Sequence, residues 1–212
     1  MRVPVSRVAA VMCAILMGAV LFTADANKFV STWKAPGAHL LNYAGRKVAA
    51  VVIVDDDNLR VSSEEALARE ITARGPEGVP AYRIIPREEL KKKDAAKGWF
   101  ERAGVQGLVV LRLVETDFEK VYSQLVWASG YYNYAWDYWD NSWASVYPIG
   151  KAREQKTITV ETLLYDVTSG NEIWAGLSRT TDPKDVQSYM KALATDVVKE
   201  LQKEGLIQKT GR

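Results

Sequence analysis

The chain has 212 residues, 48% of them hydrophobic and 25% charged, with 14 Gly and 7 Pro. That composition excludes a disordered tail, a collagenous rod and a polytopic membrane protein. A formal net charge of +2 is too balanced for a dedicated nucleic-acid binder. One Cys and one His leave no internal disulfide and little material for a His-based metal site or catalytic triad.

Arg2 and Arg7 precede an apolar run from Val8 to Phe22, and Ala24-Asp25-Ala26 follows it. A basic start, a short apolar centre and an A-x-A ending are the three parts of a secretory signal peptide. The run is shorter than the roughly 20 apolar residues a spanning helix needs. Cleavage is expected after Ala26, which makes residues 1–26 the signal and residues 27–212 one exported domain of the periplasm or outer membrane. Lipid attachment at Cys13 is the rival reading. It favours a small residue before the Cys, whereas bulky Met12 stands there, and the apolar stretch continues beyond it. Without Cys13 the mature chain has no thiol, which suits an oxidising compartment.

No internal repeat is visible, and strand-like segments alternate with helix-like ones. Phe29-Val30-Ser31-Thr32-Trp33 alternates and is expected to pair at a sheet edge. Val48 to Val54 is continuously apolar and β-branched, as a central strand covered on both faces must be. Ser62 and Glu65 read as a capping box opening a helix that carries Leu67 and Ile71 on one face. Gly75-Pro76 ends it.

Tyr82 to Ile85 reads as a second strand closed by Pro86. Residues 87–103 read as a charged helix with Leu90, Phe100 and Ala103 on its buried side. Leu108 to Val114 is a third strand, apolar except for Arg112. Residues 157–166 alternate, with Ile158, Val160, Thr162 and Leu164 on one face. Residues 172–180 form the hairpin partner across Thr168-Ser169-Gly170-Asn171.

Val186, Tyr189, Met190, Leu193, Val197 and Leu201 then mark one stripe of a helix over 183–204, with Asp182-Pro183 as cap and Gly205 as stop. The order β-α-β-α-β, an aromatic insertion at 121–150, then β-β-α predicts an α/β fold. Its mixed sheet has three parallel strands, an antiparallel hairpin, and helices packed on the sheet.

Ser31-Thr32-Trp33-Lys34-Ala35-Pro36 and the strand opening Gly45-Arg46-Lys47-Val48-Ala49 resemble a group of uncharacterised exported bacterial proteins, many of them described as lipoproteins. The hairpin Leu164-Tyr165-Asp166, Gly170, Ile173-Trp174-Ala175-Gly176 is similar to an element that recurs in such proteins. The element order over about residues 28–205 also resembles the small α/β domain at the N-terminus of the TolB translocation protein and in the curli-secretion lipoprotein. The resemblance implies an envelope location and brings no catalytic residues.

Three candidate chemistries stand against plainer readings. Asp55-Asp56-Asp57 follows the first central strand, at the edge where open α/β sheets place ligands. Its carboxylates could hold Mg²⁺ in a hydrolase built on Asp55 and Asp57; a solvated strand-to-helix loop is the plainer account. His39 has no nucleophile or orienting partner nearby in sequence and reads as a loop residue. Lys91-Lys92-Lys93 reads as a solvated helix face. No glycine-rich phosphate-binding pattern occurs, and no cofactor is expected.

The insertion stands apart. Six Tyr and four Trp lie between Tyr122 and Tyr147, while residues 127–145 contain no Leu, Ile or Val. From Val121 to Gly150 there is no Lys or Arg, and Asp137 and Asp140 make the segment acidic. Nucleic acid and anionic lipid are thereby disfavoured. Amphipathic rings without aliphatic company suggest an exposed binding surface. Tyr131, Tyr132, Tyr134, Trp136, Tyr138, Trp139 and Trp143 are its expected contact residues. The expected function is non-enzymatic: binding an envelope partner protein or the outer-membrane surface, or alternatively a periplasmic glycan.

Overall fold

The computed structural model describes residues 28–38, 42–114, 132–148, 157–181 and 185–209. Residues 1–26, Cys13, His39, Tyr131, all of the insertion before Tyr132, and Asp182-Pro183 lie outside the described residues.

Ten elements carry the sheet and its covers. In chain order they are β1 (Lys28–Lys34), β2 (Lys47–Ile53), α1 (Asp57–Ala73), β3 (Glu77–Pro80), α2 (Lys93–Arg102), β4 (Gly107–Val114), α3 (Ala135–Ala144), β5 (Thr157–Asp166), β6 (Glu172–Thr181) and α4 (Val186–Lys203). They build a six-stranded sheet in the order β1-β6-β5-β4-β2-β3. β2 pairs in parallel with β3 and β4, and β4, β5, β6 and β1 follow antiparallel. This is the expected α/β fold with a mixed sheet, and β1 takes the expected edge.

Alternation along each strand sends side chains into two separate cores. Val48, Ala50 and Val52 of β2 join Val109 and Leu111 of β4 under α1 and α4. Ala49, Val51 and Ile53 join Leu108 and Val110 under α2 and α3. The result is a three-layer sandwich. All six residues of the predicted α4 stripe, Val186 through Leu201, are buried against the first face.

Several boundaries differ from the sequence reading, each for a local reason. α1 begins at Asp57, because Asp56 is its N-cap and accepts the Leu59 N–H at 2.9 Å. Ser62 instead donates back to the Leu59 carbonyl from inside the second turn. The second strand is Glu77–Pro80, and Ala81–Arg83 is a 3₁₀ turn. There the Ile84 N–H bonds the Ala81 carbonyl, and the Tyr82 N–H leaves the ladder for Glu64.

α2 is shorter than expected, since consecutive i→i+3 bonds from Glu89, Leu90 and Lys92 hold residues 86–92 in turns. α4 is capped by Asp185, which accepts the Ser188 N–H at 2.7 Å.

Glu64 ties β2 to the 3₁₀ turn that follows β3. It is fully buried, accepts the Val52 N–H at 3.3 Å and the Tyr82 N–H at 2.8 Å, and faces Arg60 at 3.6 Å. Burial pushes its carboxyl up to about 7, against the opposing pull of Arg60 and the two backbone donors. Removing such an acceptor orphans two N–H groups and leaves the buried Arg60 guanidinium with Asp57 as its carboxylate partner. Glu64→Ala is therefore expected to cost about 3 kcal/mol in urea denaturation. Glu65→Ala, one position away, loses a partly exposed pair with Arg83 and the Tyr82 hydroxyl bond, and should cost less than about 1 kcal/mol.

Candidate functional site

The described part of the insertion is a helix. Ala135, Trp136, Tyr138, Trp139, Ser142 and Trp143 are buried, while Asp137, Asp140, Asn141 and Ala144 face solvent. That is helical spacing, and it turns the large rings toward the sheet. Trp139 and Tyr138 are 1% exposed, Trp136 3%, Tyr132 6% and Trp143 7%. The expectation that Tyr132, Trp136, Tyr138, Trp139 and Trp143 project outward as contact residues is corrected: in this structure they are core. Tyr134 is half-buried, and Tyr131 lies outside the described residues.

The rings supply a core without aliphatic neighbours of their own, because the aliphatic side comes from elsewhere. Phe100 of α2 meets the Trp139 ring edge-on at 5.6 Å, and Trp136 lies 6.4 Å from Phe100. Val110, Leu163 and Leu177 line the sheet side of the same core. Two of the indoles also have polar contacts, whereas Trp143 Nε1 is buried without a hydrogen-bond partner. Trp139 Nε1 donates to the Leu90 carbonyl at 2.9 Å, and Lys97 Nζ sits 6.0 Å from the Trp136 ring.

Beneath α3 lies a buried polar network absent from the sequence expectations. Glu161 of β5 is 1% exposed and accepts the Tyr132 and Tyr138 hydroxyls, each at 2.9 Å. Arg112, its cross-strand partner on β4, reaches it at 3.3 Å and donates to the Ser145 carbonyl and Oγ at the end of α3. Desolvation, followed by the Glu161 charge, holds the Tyr138 phenol far above its usual range, so it remains a donor. Glu172 of β6 lies opposite Tyr165 on the same sheet face. Its two carboxyl oxygens and the Tyr165 hydroxyl are buried without hydrogen-bond partners.

The acidic triad does different work. Asp56 caps α1, and Asp57 pairs with Arg60 and with Arg87. Asp55 is exposed, and among the described residues no group of three or more His, Cys, Asp or Glu is arranged to hold a metal ion. Next to the triad, a cleft of about 370 Å³ opens between the first turns of α1 and α4, lined by Asp56, Asn58, Leu59, Asp185, Val186 and Gln187. Both of its carboxylates are engaged as helix caps. Among the described residues no helix is long and apolar enough to cross a membrane.

No protein-family model matches the chain, and no curated protein matches it. Among solved structures, it is similar to the PelC dodecamer from Paraburkholderia phytofirmans at 14% identity and a TM-score of 0.45, over 81% of this chain and 95% of that one. It is also similar to lipoprotein GNA1162 from Neisseria meningitidis at 13% identity and a TM-score of 0.37, over 74% of this chain and 96% of that one. No residue role is carried over from either.

Two substitutions test the placement of the rings. Trp139→Ala should lower unfolding free energy by about 3–5 kcal/mol, as loss of a buried indole does, whereas Asp140→Ala on the outer face should stay within about 0.5 kcal/mol. Equal, small effects in chemical denaturation would place Trp139 at the surface.

Proposed function

We propose that this chain is an exported cell-envelope protein that acts by binding a partner protein, not by catalysis. Export rests on the basic, apolar and A-x-A parts of residues 1–26. Arg60 and Arg87 on Asp57, with Asp56 spent as a cap, favour this reading over a Mg²⁺-dependent hydrolase.

The observation that carries the binding role is the state of β1. It is seven residues long and, among the described residues, no strand pairs with its outer side. It also carries Val30, 51% exposed and the exposed large hydrophobic side chain of the described residues. The opposite edge, β3, is four residues long and ends in Pro80, which blunts it against pairing. An open edge with an apolar side chain suits an extended segment of a partner, held by main-chain hydrogen bonds with a pocket contact for specificity.

Two measurements check it. N-terminal sequencing of the exported protein should read from Asn27, and the protein should fractionate with the envelope. Val30→Lys should leave stability within about 0.5 kcal/mol, as exposed substitutions do, yet remove co-purification of partners from solubilised envelope. Unchanged co-purification contradicts an edge-strand role. For the competing hydrolase, Mg²⁺ should leave the melting temperature of wild type and Asp57→Ala unchanged; stabilisation of wild type alone would favour the metal site.

A further inference from the structure

The segment leading into α3 is clipped to the β5–β6 turn at one place. The Ala135 N–H donates to the Gly170 carbonyl at 2.8 Å, and the Glu172 N–H donates to the Asn133 carbonyl at 3.1 Å. Tyr134 and Asn171 form a β-bridge between these bonds. Gly170 has φ +74°, and a Cβ there would lie 2.2 Å from the Tyr134 ring, so the two chains close without space for a side chain. Glu172 stands at the end of this clip with a carboxyl group that is buried and bonded to nothing.

Groups of both signs lie around this face, and the one whose charge acts on Glu172 is Glu161. Glu161 and Tyr165 come from β5, Tyr132, Tyr134 and Tyr138 from the α3 segment, and Arg179 from β6 itself. Arg112 of β4 is spent on Glu161 and Ser145, and Lys97 of α2 lies over Trp136. Burial, and then the Glu161 charge, pushes the Glu172 carboxyl from its ordinary 4.5 up to about 9. The unfolded chain gives up that proton near the ordinary value. The folded form is therefore favoured most at low pH, and that advantage is lost as pH rises through about 9.

We propose that Glu172 is a charge-controlled latch on the aromatic helix: uncharged, it lets the Asn133–Ala135 clip close and α3 lie on the sheet; ionised, it opens the clip and bares the α3 rings. The clip itself lies outside the β2, β3 and β4 ladders and the α1–α4 layer. The bared surface is the Tyr132, Trp136, Tyr138, Trp139 and Trp143 face, so the latch decides whether these rings act as core or as contact surface.

The test follows amide hydrogen exchange and acrylamide quenching of Trp from pH 6 to pH 10 in wild type, Glu172→Gln and Tyr165→Phe. Exchange is corrected for its intrinsic pH dependence. In wild type, residues 132–144 should gain exchange, and Trp quenching should rise, at a pH below that at which β2 and β4 open. Glu172→Gln, a neutral isostere, should move that midpoint up by at least about one pH unit. Tyr165→Phe should keep the wild-type midpoint, which separates Glu172 from phenol ionisation. The proposal is overturned if Glu172→Gln follows the wild-type profile, if Tyr165→Phe abolishes the transition, or if residues 132–144 open only together with β2 and β4.

Discussion

A strand that is apolar on both faces has to be covered twice, and the architecture follows from that requirement. β2 and β4 present Val, Ala, Ile and Leu alternately to either side, and none of these residues reaches solvent. Each fully buried side chain of this size contributes roughly 1.5–3 kcal/mol relative to exposure, so neither face can be left bare. α1 and α4 cover one face. α2 is a ten-residue helix and cannot cover the second face alone, so α3 completes that layer. What looks in composition like a sticky insertion is the missing cover.

Aromatic rings make a particular kind of cover. They fill volume well, but phenols and indoles bring polar atoms that need partners when buried. Glu161 and Arg112 answer that need by collecting the Tyr132 and Tyr138 hydroxyls and tying the end of α3 to β4. A buried network of this kind specifies where the helix sits more than it adds net stability. Glu172 and Tyr165, left outside it, are where the second core is least settled, and the clip that holds the start of α3 lies beside them.

Much of the fold was legible because the apolar periods are strong. The continuous run of β2, the stripe of α4 and the turn at Gly170 all appear where their residue patterns place them. Boundaries failed where a carboxylate competed with a more obvious signal: Asp56 and Asp185 cap helices ahead of Ser62 and behind Asp182, and Glu64 pulls Tyr82 out of the ladder.

The site was harder to read. In α3 the composition drew attention, while the helical spacing of Trp136, Tyr138, Trp139 and Trp143 around exposed Asp137 and Asp140 was the informative signal. Glu161 sat on the face of β5 that alternation made look solvent-facing, although Leu163 and Tyr165 share that face. Its pairing with Arg112 needs the β4–β5 register, which local sequence does not contain.

The central claim is that α3 is a structural layer of the resting protein and not a projecting loop. Amide hydrogen exchange at neutral pH tests it most directly, read along residues 135–144. Protection there well above that of an unstructured peptide, with the Trp139 and Tyr138 amides among the slow ones, is the result expected of a helix packed on the sheet. Exchange at the unprotected rate through this stretch, while β2 and β4 stay protected, would contradict it.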